Sequence, residues 1–402
     1  MKSTSMIKKA IPALAVMAAF GVYADTTPTV TIESAAQRWP WNNKIDIKYT
    51  VGNGSVPASG VYRKIKFALS VDGQVVQTVD GSRDVIANAD TGTHTVTYEL
   101  PSGIKSDNCS ITAEIYETTG YYMIIDLESG NMAFEDLESG DSPTATPTAS
   151  NARYNTETYK TKWMAFRKVP STARADAAYS AGYRTGHSGY ESSNTPTNWV
   201  TASDFFVGVF PCTKTQYLKI QATGTDGSTP VGSLTWAALR GSKTPTQELG
   251  SSESSTSFFE RLNALTGKSG FDLPTEVMWE IAARANSDKV YPWGDSENSS
   301  YFVSYGTLNT VAVVGSKKSN AWGLFDMIGN VFEWCRDDES LANLADAPDA
   351  FTPAYSPSAS TTSHRCRGGS NNAGKNNLKA SHRPTYSSSW VDHGFRVFWR
   401  AQ

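Results

Sequence analysis

The sequence predicts a mainly β chain with an α+β part: a small antiparallel β-sandwich followed by a larger, loop-rich domain. Three observations predict it. Residues 25–127 carry short runs of alternating apolar and polar side chains between turn dipeptides, with no amphipathic helix among them. Past residue 153 two capped helical patterns give way to long stretches of Gly, Ser, Asn and Trp. A proline-stiffened segment, Ser142-Pro143-Thr144-Ala145-Thr146-Pro147-Thr148, separates the two regions.

Length and composition agree with this. At 402 residues the chain exceeds one ordinary core. A formal net charge of −3 gives no electrostatic reason to expect nucleic acid as a partner. Four cysteines are too few to scaffold the fold, so apolar cores must supply most of the stability.

The first 24 residues read as a targeting segment. Lys2, Lys8 and Lys9 precede an apolar run over 11–22, and Val22-Tyr23-Ala24 ends in a small residue. Cleavage is expected after Ala24, giving a periplasmic or secreted protein. The apolar run falls short of the ~20 residues a membrane span needs, and no later stretch resembles a span.

Within residues 25–140 the runs 45–49, 65–69, 94–98 and 111–116 each place apolar side chains on one face. Several short strands with regular turns argue for an immunoglobulin-like sandwich. Trp39-Pro40-Trp41 either packs its edge or forms a ligand platform. The pentapeptide Asp-Leu-Glu-Ser-Gly occurs at 126–130 and again at 136–140, as a solvated acidic loop or a weak cation site. A linker is expected at 141–152 and the second domain at 153–402.

In that domain 163–169 and 205–210 read as strands. Ser257 is placed to cap a helix carrying Phe258, Leu262 and Leu265, with Gly267 as its stop. Thr275 caps a second helix, in which Glu280 and Arg284 stand one turn apart. The stretch 323–334 concentrates large apolar residues, Gly329-Asn330 as a turn dipeptide, and the carboxylates Asp326 and Glu333. It reads as a structured turn feeding a short strand.

Seven motifs stand in one order: Phe205-Phe206-Val207-Gly208 with Thr213-Lys214-Thr215-Gln216-Tyr217; Arg261-Leu262-Asn263; Leu273-Pro274-Thr275-Glu276 through Trp279-Glu280 and Ala282-Ala283-Arg284; Pro292-Trp293-Gly294-Asp295; the 323–334 stretch; Arg367-Gly368-Gly369-Ser370; and Gly394-Phe395-Arg396-Val397. Together they resemble the formylglycine-generating enzyme, or sulfatase-modifying factor, family. That resemblance implies a C-type lectin-like fold for the second domain.

It also implies copper and calcium chemistry at particular residues. Catalytic members hold copper with two cysteines, three and eight residues beyond the serine of Arg-Gly-Gly-Ser. Those positions are Ala373 and Leu378 here, and no Cys or Met follows Gly369. Copper(I) needs thiolate or thioether ligands, so a formylglycine-generating oxidase of the known kind is not expected. The resemblance further implies calcium at Asp326, Gly329, Val331 and Glu333, through two carboxylates and two carbonyls. The other reading of those carboxylates pairs Glu333 with an arginine such as Arg396 and leaves Asp326 to cap the turn.

The related fold sets the strands of Cys335 and Cys366 side by side, which implies a disulfide closing a loop of ~30 residues and adding ~3 kcal/mol. Cys212 is expected buried and unpaired. His364, His382 and His393 match no metal spacing. Between the fixed ends Ser370 and Gly394 the chain is crowded with Asn, Ser, Tyr, Trp and His, residue types that build adaptable binding surfaces. Asn371, Asn372, Asn376, Asn377, His382, Tyr386, Trp390 and His393 are the expected ligand contacts. The sequence thus points to a non-catalytic, calcium-stabilised, lectin-like binding domain for a peptide, glycan or surface ligand. The alternative is a metal-dependent oxidoreductase or modifying enzyme working in the same cleft without the copper dithiolate.

Overall fold

The computed structural model describes residues 28–37, 43–52, 61–101, 109–136, 154–171, 183–185, 198–200, 202–304, 310–340, 349–356, 363–374 and 377–400. The targeting segment, Trp39-Pro40-Trp41, the 141–152 linker and Asn376 lie outside the described residues. The chain divides into two compact units, Met1–Gly120 with Asn131–Asp136, and Tyr121–Gly130 with Leu137–Gln402.

The first unit contains β1 (Thr29–Gln37), β2 (Lys44–Gly52), β3 (Tyr62–Val71), β4 (Gln74–Asp80), β5 (Gly92–Glu99) and β6 (Cys109–Thr118). They form two three-stranded antiparallel sheets, β1-β2-β5 and β4-β3-β6. The alternation legible in the sequence is the cause. Ile45, Ile47, Tyr49 and Val51 of β2 and Ile65, Phe67 and Leu69 of β3 alternate into one core, which Val96, Tyr98, Ile111 and Ala113 complete. Tyr49 meets Phe67 edge to face at 5.5 Å and donates its hydroxyl to the Asn88 carbonyl, so its polar end is satisfied inside.

β7 (Tyr122–Asp126) departs from the expected boundary at residue 140. It belongs to the second unit, where it pairs antiparallel with the strand Trp163–Val169. The reason is its pattern: Tyr122, Met123, Ile124 and Ile125 are all buried, so the strand must be covered on both faces. β8 (Met132–Glu135) returns to the first unit, where Phe134 stacks on Tyr62 at 4.2 Å.

The second unit continues with α1 (Glu157–Thr161), β9 (Trp163–Val169), β10 (Tyr183–Thr185), β11 (Asn198–Val200), β12 (Phe205–Gly208), α2 (Lys214–Gln221), α3 (Trp236–Arg240), α4 (Phe258–Thr266), β13 (Phe271–Asp272) and α5 (Glu276–Arg284). It closes with β14 (Phe332–Asp338), β15 (His364–Arg367), β16 (Thr385–Tyr386), β17 (His393–Gly394) and β18 (Phe398–Trp399). One sheet runs β13-β18-β12-β9-β7, and a second runs β16-β15-β14-β17.

Both anticipated helices form with their anticipated caps. Ser257 accepts from the Glu260 amide and Gly267 ends α4 at φ +65°; Thr275 accepts from the Met278 amide. α2 carries a capping box, Thr213 and Gln216 each satisfying the other's amide. α5 is unlike a surface helix, because all nine of its residues are buried, Glu276 and Glu280 included. Charge pairing makes that tolerable. Arg383 grips both Glu276 oxygens at 2.5 to 3.2 Å, Arg284 binds Glu280 at 2.7 Å, and Arg367 reaches the other Glu280 oxygen. These pairs fasten α5 to β15 and to the segment before β16. Among the described residues no helix is long and apolar enough to cross a membrane.

Candidate functional site

The 323–334 stretch is tied to both the β12 and the β15 sheets of the second unit, its Phe325 amide donating to the Val209 carbonyl just past β12 and its Gly329 amide to the Gly368 carbonyl just past β15. Gly329 and Asn330 adopt φ +81° and +65°, the left-handed region their types tolerate. The Asn330 side chain exchanges two hydrogen bonds with the Ala312 backbone, at 2.9 and 3.2 Å, and the Gly329 amide donates to the Gly368 carbonyl at 2.8 Å. The turn delivers Phe332 to Asp338 as β14, which pairs parallel with β17 and antiparallel with β15.

Glu333 is 1% exposed and saturated. Arg396 donates to it from Nη2 at 2.8 Å and from Nε at 3.1 and 3.2 Å, while the Trp279 indole donates to Oε2 at 2.6 Å. Each carboxylate oxygen thus takes two donors, filling its lone pairs. Asp326 differs. Its Oδ2 accepts from the Gly315 amide at 2.7 Å, but Oδ1 is buried without a partner. Burial pushes its carboxyl up to about 6, against the opposing pull of the Gly315 amide and Arg396. Asp326 also lines a void of about 10 Å³, the size of one water or ion.

Of the expected calcium set, Asp326 Oδ1 is a buried side-chain oxygen without a donor, while the Gly329 carbonyl already accepts from the Val331 amide at 2.9 Å. Glu333 joins a cation there only if Arg396 cedes an oxygen, so its pairing with arginine is realised in the structure. Among the described residues no group of three His, Cys, Asp or Glu side chains is gathered as for a metal. The copper-position residues do not fit copper. Ala373 and Leu378 are apolar and 6% and 1% exposed, and Leu378 lies in the space a Cβ on Gly369 would need.

The expected Cys335–Cys366 disulfide is not formed. Their strands are neighbours, but the register sets Cys366 opposite Trp334, one position short of Cys335, and successive side chains of a strand point to opposite faces. Both are buried free thiols, as is Cys212, and burial pushes all three well up. Cys109 begins β6 in the first unit.

The 370–394 segment divides into a surface part and a core part. Asn371 and Asn372 line a cavity of about 780 Å³ whose other walls are Lys214, Tyr217, residues 224–225 and 229–234, Thr310, Val311, Val391 and Asp392. The Asn371 amide donates to Asn330 at 2.9 Å, and Ser370 Oγ donates to Asp392 at 2.6 Å. Asn371 Oδ1 is buried without a partner, which costs about 1–3 kcal/mol unless something donates to it. Trp390 is 61% exposed and Val391 76%. Their loop is seated firmly, since the amides of Ser233 and His393 both donate to the Trp390 carbonyl, at 3.1 and 2.9 Å.

His393 corrects an expectation. It is 1% exposed, with its ring 4.3 Å from Tyr386 and edge-on to Phe332 and Trp334 at 5.5 and 5.4 Å. Pairing in β17 turns it into the core, so it is no surface contact. Burial lowers its pKa and lowers that of His382 to about 4, leaving both rings neutral near pH 7. His364, lowered by burial to about 4, stacks on Trp236 at 3.9 Å. Asn377, His382 and Tyr386 are partly exposed, and none of them lines the cavity. The walls from 214 to 234 and from 310 to 311 were not anticipated. Lys214 and Tyr217 stood in the Thr213-Lys214-Thr215-Gln216-Tyr217 motif that the sequence singled out, without a site reading attached to them.

A family model described as "Sulfatase-modifying factor enzyme 1-like domain" matches residues 168–401. A formylglycine-generating enzyme of Mycobacterium tuberculosis is 33% identical over 122 residues, 24% of this chain and 41% of the relative, so the chain spans less than half of that relative's length. Among solved structures, variable protein 1 of Treponema denticola is similar at TM-score 0.48 and 19% identity, covering 59% of this chain and 95% of that one. PvdO from Pseudomonas aeruginosa is similar at TM-score 0.47 and 19% identity, over 59% and 94% of the two chains.

Proposed function

Because the chain belongs to the sulfatase-modifying factor enzyme 1-like domain family and carries Ala373 and Leu378 at the copper positions, we propose that it is a non-catalytic binding member of that family. It acts in the periplasm or outside the cell, where its N-terminal targeting sequence sends it. The observation that carries this reading is that the copper position is filled by buried apolar side chains, while Asn371 and Asn372 just before it in the chain line a cavity of about 780 Å³ and Trp390, next to its Val391 wall, is exposed. A peptide, glycan or surface ligand binds there, on Asn371, Asn372 and the Trp390 loop.

Calcium stabilises the domain without taking part in chemistry. Asp326 through its unpartnered Oδ1, the carbonyls of Gly329 and Val331, and Glu333 by an oxygen that Arg396 gives up would hold it. What the ion supplies there is charge neutralisation of the buried Asp326 carboxylate.

The test is direct. Purified protein supplied with copper and a cysteine-containing peptide should yield no aldehyde, and an array of peptides and glycans should yield a ligand lost on Trp390→Ala. Aldehyde formation would sink the non-catalytic reading. A second reading, a modifying enzyme with another metal, draws on His393, whose Nδ1 is buried without a partner beside Tyr386. Tightly held redox metal with turnover of a thiol or phenol would favour it.

A further inference from the structure

We infer that a second cavity, of about 420 Å³ beside β13 and β18, takes a carboxylate borne on an apolar or aromatic body, with Arg336 and Arg400 receiving the carboxylate. This cavity shares no wall residue with the one beside Asn371, and its occupation does not depend on a ligand there. Its floor is apolar. Phe271, Leu273, Met278, Phe398 and Trp399 line it, each no more than 6% exposed, and Leu249 and Phe351 add half-buried apolar surface. Phe271 stacks on Trp399 at 5.6 Å, and the Trp399 indole donates to the Ser269 carbonyl at 2.8 Å, so its one polar atom is already satisfied.

Four charged side chains complete the lining, Glu248, Asp272, Arg336 and Arg400, and their hydrogen bonds decide the sign of the ligand. Asp272 is filled: Arg240 binds its two oxygens at 2.7 and 3.0 Å, and the Leu273 amide donates to Oδ1 at 2.7 Å. Arg336 donates to the Pro245 carbonyl from Nε and Nη2, at 3.1 and 2.8 Å, and its Nε stands 3.4 Å from Asp272. Its Nη1 meets no acceptor among the described residues. Glu248, 4.0 Å from Arg336 Nη2, is 69% exposed, so water screens that pair. Arg400 is exposed, sets its guanidinium 4.0 Å over the Phe351 ring, and makes no hydrogen bond or ion pair through it with a described residue. Asp349, whose charge it meets, gives its oxygens to the amides of Phe351 and Thr352 and to the Thr352 hydroxyl.

Guanidinium donors thus stand open on this cavity while its buried carboxylate is filled, and that selects an anion. Glu248 and Asp272 on the same walls oppose a second negative charge, which favours a carboxylate over a phosphate. The aromatic floor buries the rest of the ligand. Both arginines are placed in advance: the Arg336 amide donates to the Pro274 carbonyl at 2.8 Å and the Arg400 amide to the Gly270 carbonyl at 3.2 Å. Gly270, at φ +93°, lies so close to the Arg400 carbonyl that no Cβ fits.

Isothermal titration of the full chain with phenylpropionate, phenylpropionamide, phenethylamine and phenethyl phosphate reads the head group. Short peptides ending in phenylalanine, with a free or an amidated carboxyl, read the source of the carboxylate. Phenylpropionate should bind, and the amide and the amine should bind roughly tenfold more weakly or less. Arg400→Gln, an exposed change, should weaken the acid roughly tenfold and move the amide far less. Leu249→Trp, which fills the cavity, should remove binding of the acid while the melting temperature holds. A free-carboxyl peptide that binds where its amidated form does not makes the end of a polypeptide the source, and acid binding without peptide binding makes it a small molecule; each supports the assignment. Equal binding of acid and amide, or tighter binding of the amine or the phosphate, overturns it. So does the absence of binding by both the acid and the free-carboxyl peptide at millimolar concentration. Acid binding indifferent to both Arg400→Gln and Leu249→Trp overturns this cavity as the site.

Discussion

Arg396 holds Glu333 through a two-sided grip, Nη2 to Oε1 at 2.8 Å and Nε within 3.2 Å of both oxygens, with neither side chain more than 1% exposed. The same guanidinium donates to the carbonyls of Gly208 and Phe325 at 2.8 and 2.7 Å. One residue therefore joins β12, the 323–334 turn and β14. Replacing Arg396 by Met strands a buried carboxylate, and the cost should be about 3–5 kcal/mol. Denaturant unfolding of the variant reads it, and Glu333→Gln added on the Arg396→Met background should recover part of the loss.

Gly329 sits at φ +81° with the Val303 backbone packed against its Cα, its nitrogen 3.0 Å from where a Cβ would stand. Gly329→Ala should destabilise by about 1–3 kcal/mol from backbone strain alone, with the clash added. A thermal melt checks this. Gly374, where nothing crowds the Cβ position, should tolerate Ala with little change.

Leu378 fills the space against Gly369 and is 1% exposed. Leu378→Ala should cost about 2–5 kcal/mol through the cavity it leaves. A neutral result in a denaturant titration would show the copper-position pocket to be loosely packed and open to another occupant.

Asp337 contributes to the pH dependence, beside Asp326. Burial, then the nearby Glu276 carboxylate, pushes its carboxyl up to about 7, against amides of Ala354 and Glu276 that pull the other way. Its folded pKa lies above its unfolded value of 3.8, so between those values the folded state binds the proton that the unfolded state has lost. Stability from this group is full below about pH 4 and falls as pH rises toward 7, by up to ~4 kcal/mol. Asp337→Asn should flatten that slope, measured as unfolding free energy at half-unit pH steps.

Calcium should raise the melting temperature of the wild type and a chelator should lower it, following mass action on the folded state. Asp326→Asn should abolish the shift. Calorimetry with calcium alone separates this from nonspecific ionic strength, and identical titrations of wild type and Asp326→Asn would remove Asp326 from the ligand set.

By itself the sequence determined what local periodicity and end chemistry control. It determined the alternating strands around Ile45, Ile65 and Ile111, the caps at Ser257 and Thr275, the turn at Gly329-Asn330, and, through seven ordered motifs, the family. These follow from side-chain alternation, capping hydrogen bonds and positive φ, which act within a few residues. Tertiary structure decided what depends on partners far along the chain. It drew the 122–126 strand into the second unit because its unbroken apolar run needs cover on both faces. It satisfied Glu333 with Arg396, set Cys366 opposite Trp334 instead of Cys335, and turned His393 into the core. It also left Asn371, Asn372 and Asp392 around one cavity with walls from 214–234 and 310–311. A carboxylate, a thiol or an imidazole reads the same in sequence whether it faces a ligand or a buried partner, and only the register and packing of β14, β15 and β17 distinguish the two.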